Sequence, residues 1–108
     1  MADELRVEIE ESPQAWSVVV RGEVDIGSAP QLEAVLDDVI ARGALLVVLE
    51  LEHVDFLDSS GLRVILAAAN RLRDVEGSLV IGGASTAVLS VLEITGVIDR
   101  LRSSAQAD

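Results

Sequence analysis

Apolar and polar residues alternate at the start of the chain. Leu5, Val7 and Ile9 are interleaved with Arg6, Glu8 and Glu10. That period of two predicts a strand covered on one face. Ser12-Pro13-Gln14 predicts a turn, after which Trp16, Val18 and Val20 resume the alternation, with Val19 apolar on the opposite face. Together the two segments read as a hairpin. Gly22-Glu23-Val24-Asp25-Ile26-Gly27, bracketed by glycines, reads as a loop. The period then changes to that of a helix. Ser28 and Gln31 stand at capping-box spacing, Pro30 is tolerated in a first turn, and Leu32, Val35, Leu36, Val39 and Ile40 form one stripe. Gly43 sits where a left-handed residue would end that helix.

Ala44-Leu45-Leu46-Val47-Val48-Leu49 is a continuous apolar run. It is too short for a membrane span and has the Val and Leu content of a strand buried on both faces, so a strand is expected over Leu45–Leu51. His53-Val54-Asp55-Phe56-Leu57 is expected to be a short loop leading into Asp58-Ser59-Ser60-Gly61-Leu62. A second helix follows, carrying Leu62, Ile65, Leu66, Ala69 and Leu72 and ending near Arg73. Glu76-Gly77 predicts a turn, and Leu79-Val80-Ile81 a short strand closed by Gly82-Gly83. Ser85 can cap a third helix with Val88, Leu89 and Leu92, stopped by Gly96. Val97–Leu101 is expected to add a last helical turn, and the small polar residues that follow are expected to fray.

Strands alternating with helices require parallel, right-handed crossovers, and an opening hairpin makes the sheet mixed. The expectation is an α/β single domain spanning 1–108, with a core over 5–101 and a tail over 102–108. It has a mixed four- to five-stranded sheet with helices mainly on one face. In such sheets the working loops lie at the carboxyl ends of the strands. If the strands before them are parallel neighbours, the Glu23–Gly27 loop and the Asp55–Gly61 loop meet at one end.

Composition narrows what those loops can do. The 108 residues carry nineteen acids against eight arginines and no lysine, a net charge of −11. Such a surface repels phosphate backbones, which argues against direct nucleic-acid binding and against anionic membranes. One Trp, one Phe and no Tyr leave no material for base-stacking platforms. The absence of cysteine removes disulfides and thiolate metal sites and suits a reducing cytoplasm, and Met1-Ala2-Asp3-Glu4 lacks signal-peptide character. No membrane insertion is expected.

Ser59 and Ser60 sit where a buried strand hands over to a helix. Backbone N–H groups at a helix start lack intrahelical partners and the dipole is positive there, so a phosphate is well accommodated. The plain alternative is that Asp58 or Ser59 is simply an N-cap. A serine hydrolase would need a base, and His53 is the one histidine. Ser59 and Ser60 are preceded two residues earlier by Leu57 and Asp58, where a nucleophile elbow needs glycine. Asp25, Asp55 and Asp58 are a weak carboxylate set for a metal. Gly82-Gly83 lacks the ending of a phosphate-binding loop. No cofactor, metal or catalytic activity is expected. The chain reads as one that binds or is acted upon.

Residues 5–101 resemble an STAS domain, specifically a bacterial anti-sigma factor antagonist. Val20-Arg21-Gly22-Glu23-Val24-Asp25, Val54-Asp55-Phe56-Leu57-Asp58-Ser59-Ser60-Gly61-Leu62 and Val91-Leu92-Glu93-Ile94-Thr95-Gly96 carry the likeness. The resemblance implies a partner-switching cycle. The unphosphorylated antagonist binds an anti-sigma factor, a GHKL-type serine kinase, and frees the sigma factor. Phosphorylation breaks the complex and a metal-dependent serine phosphatase restores it. The motif aligns Ser59 with the acceptor and Ser60 with a secondary one, Asp58 with its acidic neighbour and Asp25 with a loop aspartate at the kinase-binding surface. Gly61 and the exposed Arg63 complete the expected docking patch, with Asn70 further along the same helix. Glu50 stands where family members often carry Asp. The family also contains constitutive scaffolds and transporter accessory subunits, the alternative role for this chain.

Overall fold

The protein is described by a computed structural model covering residues 4–94; the expected stop at Gly96, the last helical turn and the tail lie outside the described residues. Four strands and three helices follow in the order β1 (Arg6–Glu11), β2 (Trp16–Val24), α1 (Ala29–Ala41), β3 (Leu46–Leu57), α2 (Ser59–Asp74), β4 (Ser78–Ala84) and α3 (Thr86–Ile94). The sheet order is β1-β2-β3-β4. β1 pairs antiparallel with β2, while β2, β3 and β4 run parallel. This is the mixed four-stranded α/β domain that the pattern predicts. The hairpin turn is closed by Ser12, whose N–H donates to the Ala15 carbonyl at 2.9 Å and whose Oγ donates to the same oxygen at 2.8 Å.

One face of the sheet carries the core. Val18, Val20, Val47, Leu49 and Leu79 have no exposed surface, whereas Ser17, Val48 and Val80 on the other face are half-buried. Leu32, Leu36 and Val39 from α1 and Ile65, Ala69 and Leu72 from α2 complete that core. α1 and α2 also pack on each other, and α3 buries Val88 and Leu92 beside β3 and β4. One-sided burial follows from the connections: right-handed crossovers between the neighbouring parallel strands β2, β3 and β4 place α1 and α2 on the same face. Gly43 has φ +96°, and the N–H of Ala44 reaches back to the Val39 carbonyl at 3.3 Å, so α1 ends as the glycine predicts. α2 ends the same way with Glu76 at φ 63°, and the Gly77 N–H donates to the Leu72 carbonyl at 2.6 Å.

Three strands outrun their expected ends. β2 continues through Gly22 and Glu23 to Val24, where a loop is expected from Gly22 onward. Gly22 takes φ +108°, and register shifts on either side of it let pairing with β3 resume as Glu23 with Phe56 and Val24 with Leu57. A side chain at Gly22 would meet the Glu4 carbonyl at 2.8 Å, which fixes glycine there. For the same reason residues 53–57 are strand and not loop. The bulges break the strict alternation that the sequence pattern depends on. β4 likewise runs through Gly82 and Gly83 to Ala84, with Glu50 of β3 lying beside the two glycines. The capping box is absent too. The Ser28 Oγ donates to the Glu23 carbonyl at 2.8 Å and makes no cap bond, and Gln31 Nε2 donates to the Leu5 carbonyl at 3.0 Å.

Candidate functional site

β2 and β3 are parallel neighbours, so the loops that follow them meet at one end of the sheet. The join is direct: the Asp58 N–H donates to the Val24 carbonyl at 3.2 Å. Asp25 and Ser59 therefore belong to one rim, as the sequence predicts for neighbouring parallel strands.

Asp58 is the N-cap of α2. Its backbone is extended, and its Oδ1 accepts from the N–H of Ser60 at 2.8 Å and of Gly61 at 3.2 Å. Two orphan donors of the first turn are satisfied in this way. Of the two capping candidates left open by the sequence, the carboxylate takes the role, and Ser59 becomes the first residue of the helix. Ser59 is exposed. Among the described residues its hydroxyl has no hydrogen-bond partner. Ser60 is half-buried behind it. Asp58 and the helix start act on Ser59 in opposite senses: the carboxylate opposes added negative charge and the dipole favours it.

Gly61 lets the helix come this close to the sheet. A Cβ there would lie 2.8 Å from Val24 Cγ1 and closer still to Leu57 Cδ1. The glycine of the serine motif is thus a packing requirement. Arg63 is exposed four residues after Ser59, on the same helical face, and Ala67 and Asn70 continue that exposed stripe. The opposite face of α2, with Leu62, Ile65, Ala69 and Leu72, belongs to the core.

Asp25 is held inside its own loop. Its Oδ1 accepts from the N–H of Gly27 at 2.9 Å and of Ser28 at 3.0 Å, and the Ser28 Oγ lies 3.2 Å away. Hydrogen bonds from the Ser28 backbone first, then from its hydroxyl and from Gly27, hold the carboxyl below the usual aspartate range. Asp25 thus shapes the loop whose tip is Ile26, 80% exposed. Phe56, 47% exposed, stands across the rim beside Glu23. These two apolar side chains were not singled out from the sequence. The signal for Phe56 was present: it is the chain's one phenylalanine and stands three residues before Ser59, inside the serine motif.

His53 lies on β3, paired with Arg21 of β2. Five strand steps separate it from Asp58, roughly 16 Å of chain, so it is not placed as a base for Ser59. Among the described residues no group of three or more His, Asp or Glu is arranged to hold a metal ion, and no helix is long and apolar enough to cross a membrane. Asp25, Asp55 and Asp58 do not form a cage.

A mixed sheet of order β1-β2-β3-β4, with crossovers on one face and an Asp58-capped helix starting at the third strand's end, defines a small mixed α/β domain. The family model for the STAS domain matches residues 6–106, and the chain belongs to that family. BtrV of Bordetella bronchiseptica, which carries the name of an anti-sigma factor antagonist, is 40% identical over 79 residues, 73% of this chain and 68% of the relative. The anti-sigma-B factor antagonist of Staphylococcus aureus is 32% identical over 95 residues, 88% of each chain. Among solved structures, an anti-sigma factor antagonist from Mycobacterium paratuberculosis superposes with a TM-score of 0.83 at 25% identity, covering 96% of this chain and 93% of that one. The phosphorylated form of the Bacillus cell fate determinant SpoIIAA shares the fold, with a TM-score of 0.71 at 22% identity over 89% of this chain and 87% of that one.

Proposed function

We propose that this chain is an anti-sigma factor antagonist switched by phosphorylation at Ser59. The observation that carries the reading is the Ser59 hydroxyl, exposed and unbonded among the described residues, directly after the capping Asp58. The names of the relatives and the phosphorylated form of SpoIIAA agree with it. In the unmodified state the rim of Asp25, Ile26, Phe56, Asp58, Ser59, Ser60 and Gly61, extended along α2 by Arg63, docks on an anti-sigma factor. That partner is a GHKL-type serine kinase, and docking frees the sigma factor.

Phosphorylation transfers the γ-phosphoryl group of ATP to Ser59 Oγ. The O–P bond forms as the bond to ADP breaks, and the hydroxyl proton passes to a base on the kinase. A serine phosphatase reverses the state with water, giving serine and inorganic phosphate. The added charge of about −1.5 to −2 sits at the positive end of α2, where the fold tolerates it. It does not suit a partner that already holds nucleotide phosphates. One extra pair of like charges about 6 Å apart, at an effective dielectric near 20, costs about 3 kcal/mol, or more than 100-fold in affinity.

The test is tandem mass spectrometry of the protein from its own cells, growing and stressed, with bound partners identified alongside. The expected result is one phosphoryl group on Ser59 in one condition and a GHKL kinase on the unmodified form in the other. Ser59 unmodified in every condition, with transporter or scaffold subunits co-purifying, refutes the switch and points to the constitutive role.

A further inference from the structure

Among the described residues, the face of the sheet away from the core carries a row of basic side chains. Register places Arg6 of β1 directly opposite Arg21 of β2, and Arg21 beside His53 of β3. A chain with eight arginines, one histidine and a net charge of −11 thus aligns three of its nine basic side chains on adjacent strands. Like charges directly opposite one another destabilise a sheet, so the row has a standing electrostatic cost.

The acids nearby do not remove it. Arg21 makes a loose contact with Glu8, Nε to Oε1 at 3.8 Å, and both side chains are largely in water. Arg6 and His53 have no ion pair or hydrogen bond among the described residues. Yet Glu4 and Asp55 line the same recess, a cavity of about 290 Å³ bounded by Glu4, Arg6, Arg21, Gly22, His53 and Asp55. Its floor is Gly22, where no side chain fits beneath the Glu4 carbonyl.

From this arrangement we infer a binding site for a small oxyanion, a phosphate monoester or a carboxylate. The guanidinium groups of Arg6 and Arg21 hold the anionic group, since a planar fork of N–H donors matches its oxygens. His53 adds a third donor from the side. A hydroxyl or amine of the same ligand donates to Asp55 or Glu4. The recess is at the lower end of ligand-pocket sizes, which restricts the ligand to a few heavy atoms. The site does not depend on Ser59 or on its modification.

The test is a titration of the uniformly ¹⁵N-labelled full chain, read as amide shifts, with inorganic phosphate, glycerol phosphate and succinate, each against chloride at matched ionic strength. Saturable shifts centred on Arg6, Arg21, Gly22, His53 and Asp55 are expected with the phosphates, with succinate, or with both, and the tighter arm identifies the anionic group. Arg21→Gln is expected to weaken binding roughly tenfold or more, the loss of a charge-assisted pair. Arg42→Gln, an exposed α1 arginine paired with Asp38, is expected to leave it unchanged. Shifts that chloride reproduces, shifts centred on Ser60 and Gly61, or unaltered affinity in an Arg6→Gln, Arg21→Gln double variant would each overturn the site. His53→Gln, an exposed change on β3, gives an independent reading if the double variant loses its native spectrum.

Discussion

Replacing Gly61 by alanine sets two effects against each other. Alanine is favoured over glycine inside a helix by about 1 kcal/mol. The new Cβ would lie 2.8 Å from Val24 Cγ1 and 3.3 Å from Val24 Cβ, and would press harder still on Leu57 Cδ1. Val24 is fully buried and Leu57 is 4% exposed, so neither can turn into solvent. Overpacking of this kind costs about 1–3 kcal/mol. Two contacts at sub-van-der-Waals distance put this case in the upper half, and the net effect is a loss of about 1–2 kcal/mol. For a domain of this size that lowers Tm by about 5–10 °C. Urea denaturation followed by circular dichroism reads the change directly. Gly43→Ala is the control: nothing lies within 4 Å of its Cβ position, and only the φ of +96° penalises it. A Gly61→Ala protein as stable as the parent, or more so, would show that the first turn of α2 lifts off the sheet freely and would refute the packing account of the serine motif.

Asp58→Ala removes the cap from two N–H groups and is expected to lower stability by about 1 kcal/mol, while Asp58→Asn keeps most of it, as chemical denaturation will show. Asp25 is held below its ordinary value of 3.8 by its loop hydrogen bonds. Its contribution is therefore complete above that value and fades as pH falls through the folded pKa; Asp25→Asn is expected to flatten stability measured between pH 5 and 2, and an unchanged slope would count against the loop account. Ser59→Asp adds an acid at the positive end of α2 and is expected to leave the circular dichroism spectrum native and the stability within about 0.5 kcal/mol, while weakening capture of the kinase partner; loss of native dichroism would contradict the view that modification acts at the partner surface.

Local signals in the sequence were reliable where one residue's chemistry settles one feature. Gly43 marked the end of α1 because its backbone can take a positive φ at no steric cost. Asp58-Ser59-Ser60-Gly61 marked the start of α2 because capping is a matter of a few bonds within one turn. Where two residues of the right type competed, local sequence did not decide. Ser28 looked like a cap, but the Glu23 carbonyl and the Asp25 N–H claimed its hydroxyl.

The sequence by itself determined the alternation of strands and helices, the parallel crossovers and the placing of a serine at a helix start, because periodicity and chirality are properties of the chain. It also carried the STAS resemblance. Tertiary structure decided how far β2, β3 and β4 run, since bulges at Gly22 and beside Glu50 let pairing survive a break in the pattern. It decided that Gly61 is fixed by Val24 and Leu57, residues 37 and 4 positions away. It alone brought Arg6, Arg21 and His53 into one row, because register across a sheet is set by pairing between segments and is written in none of them.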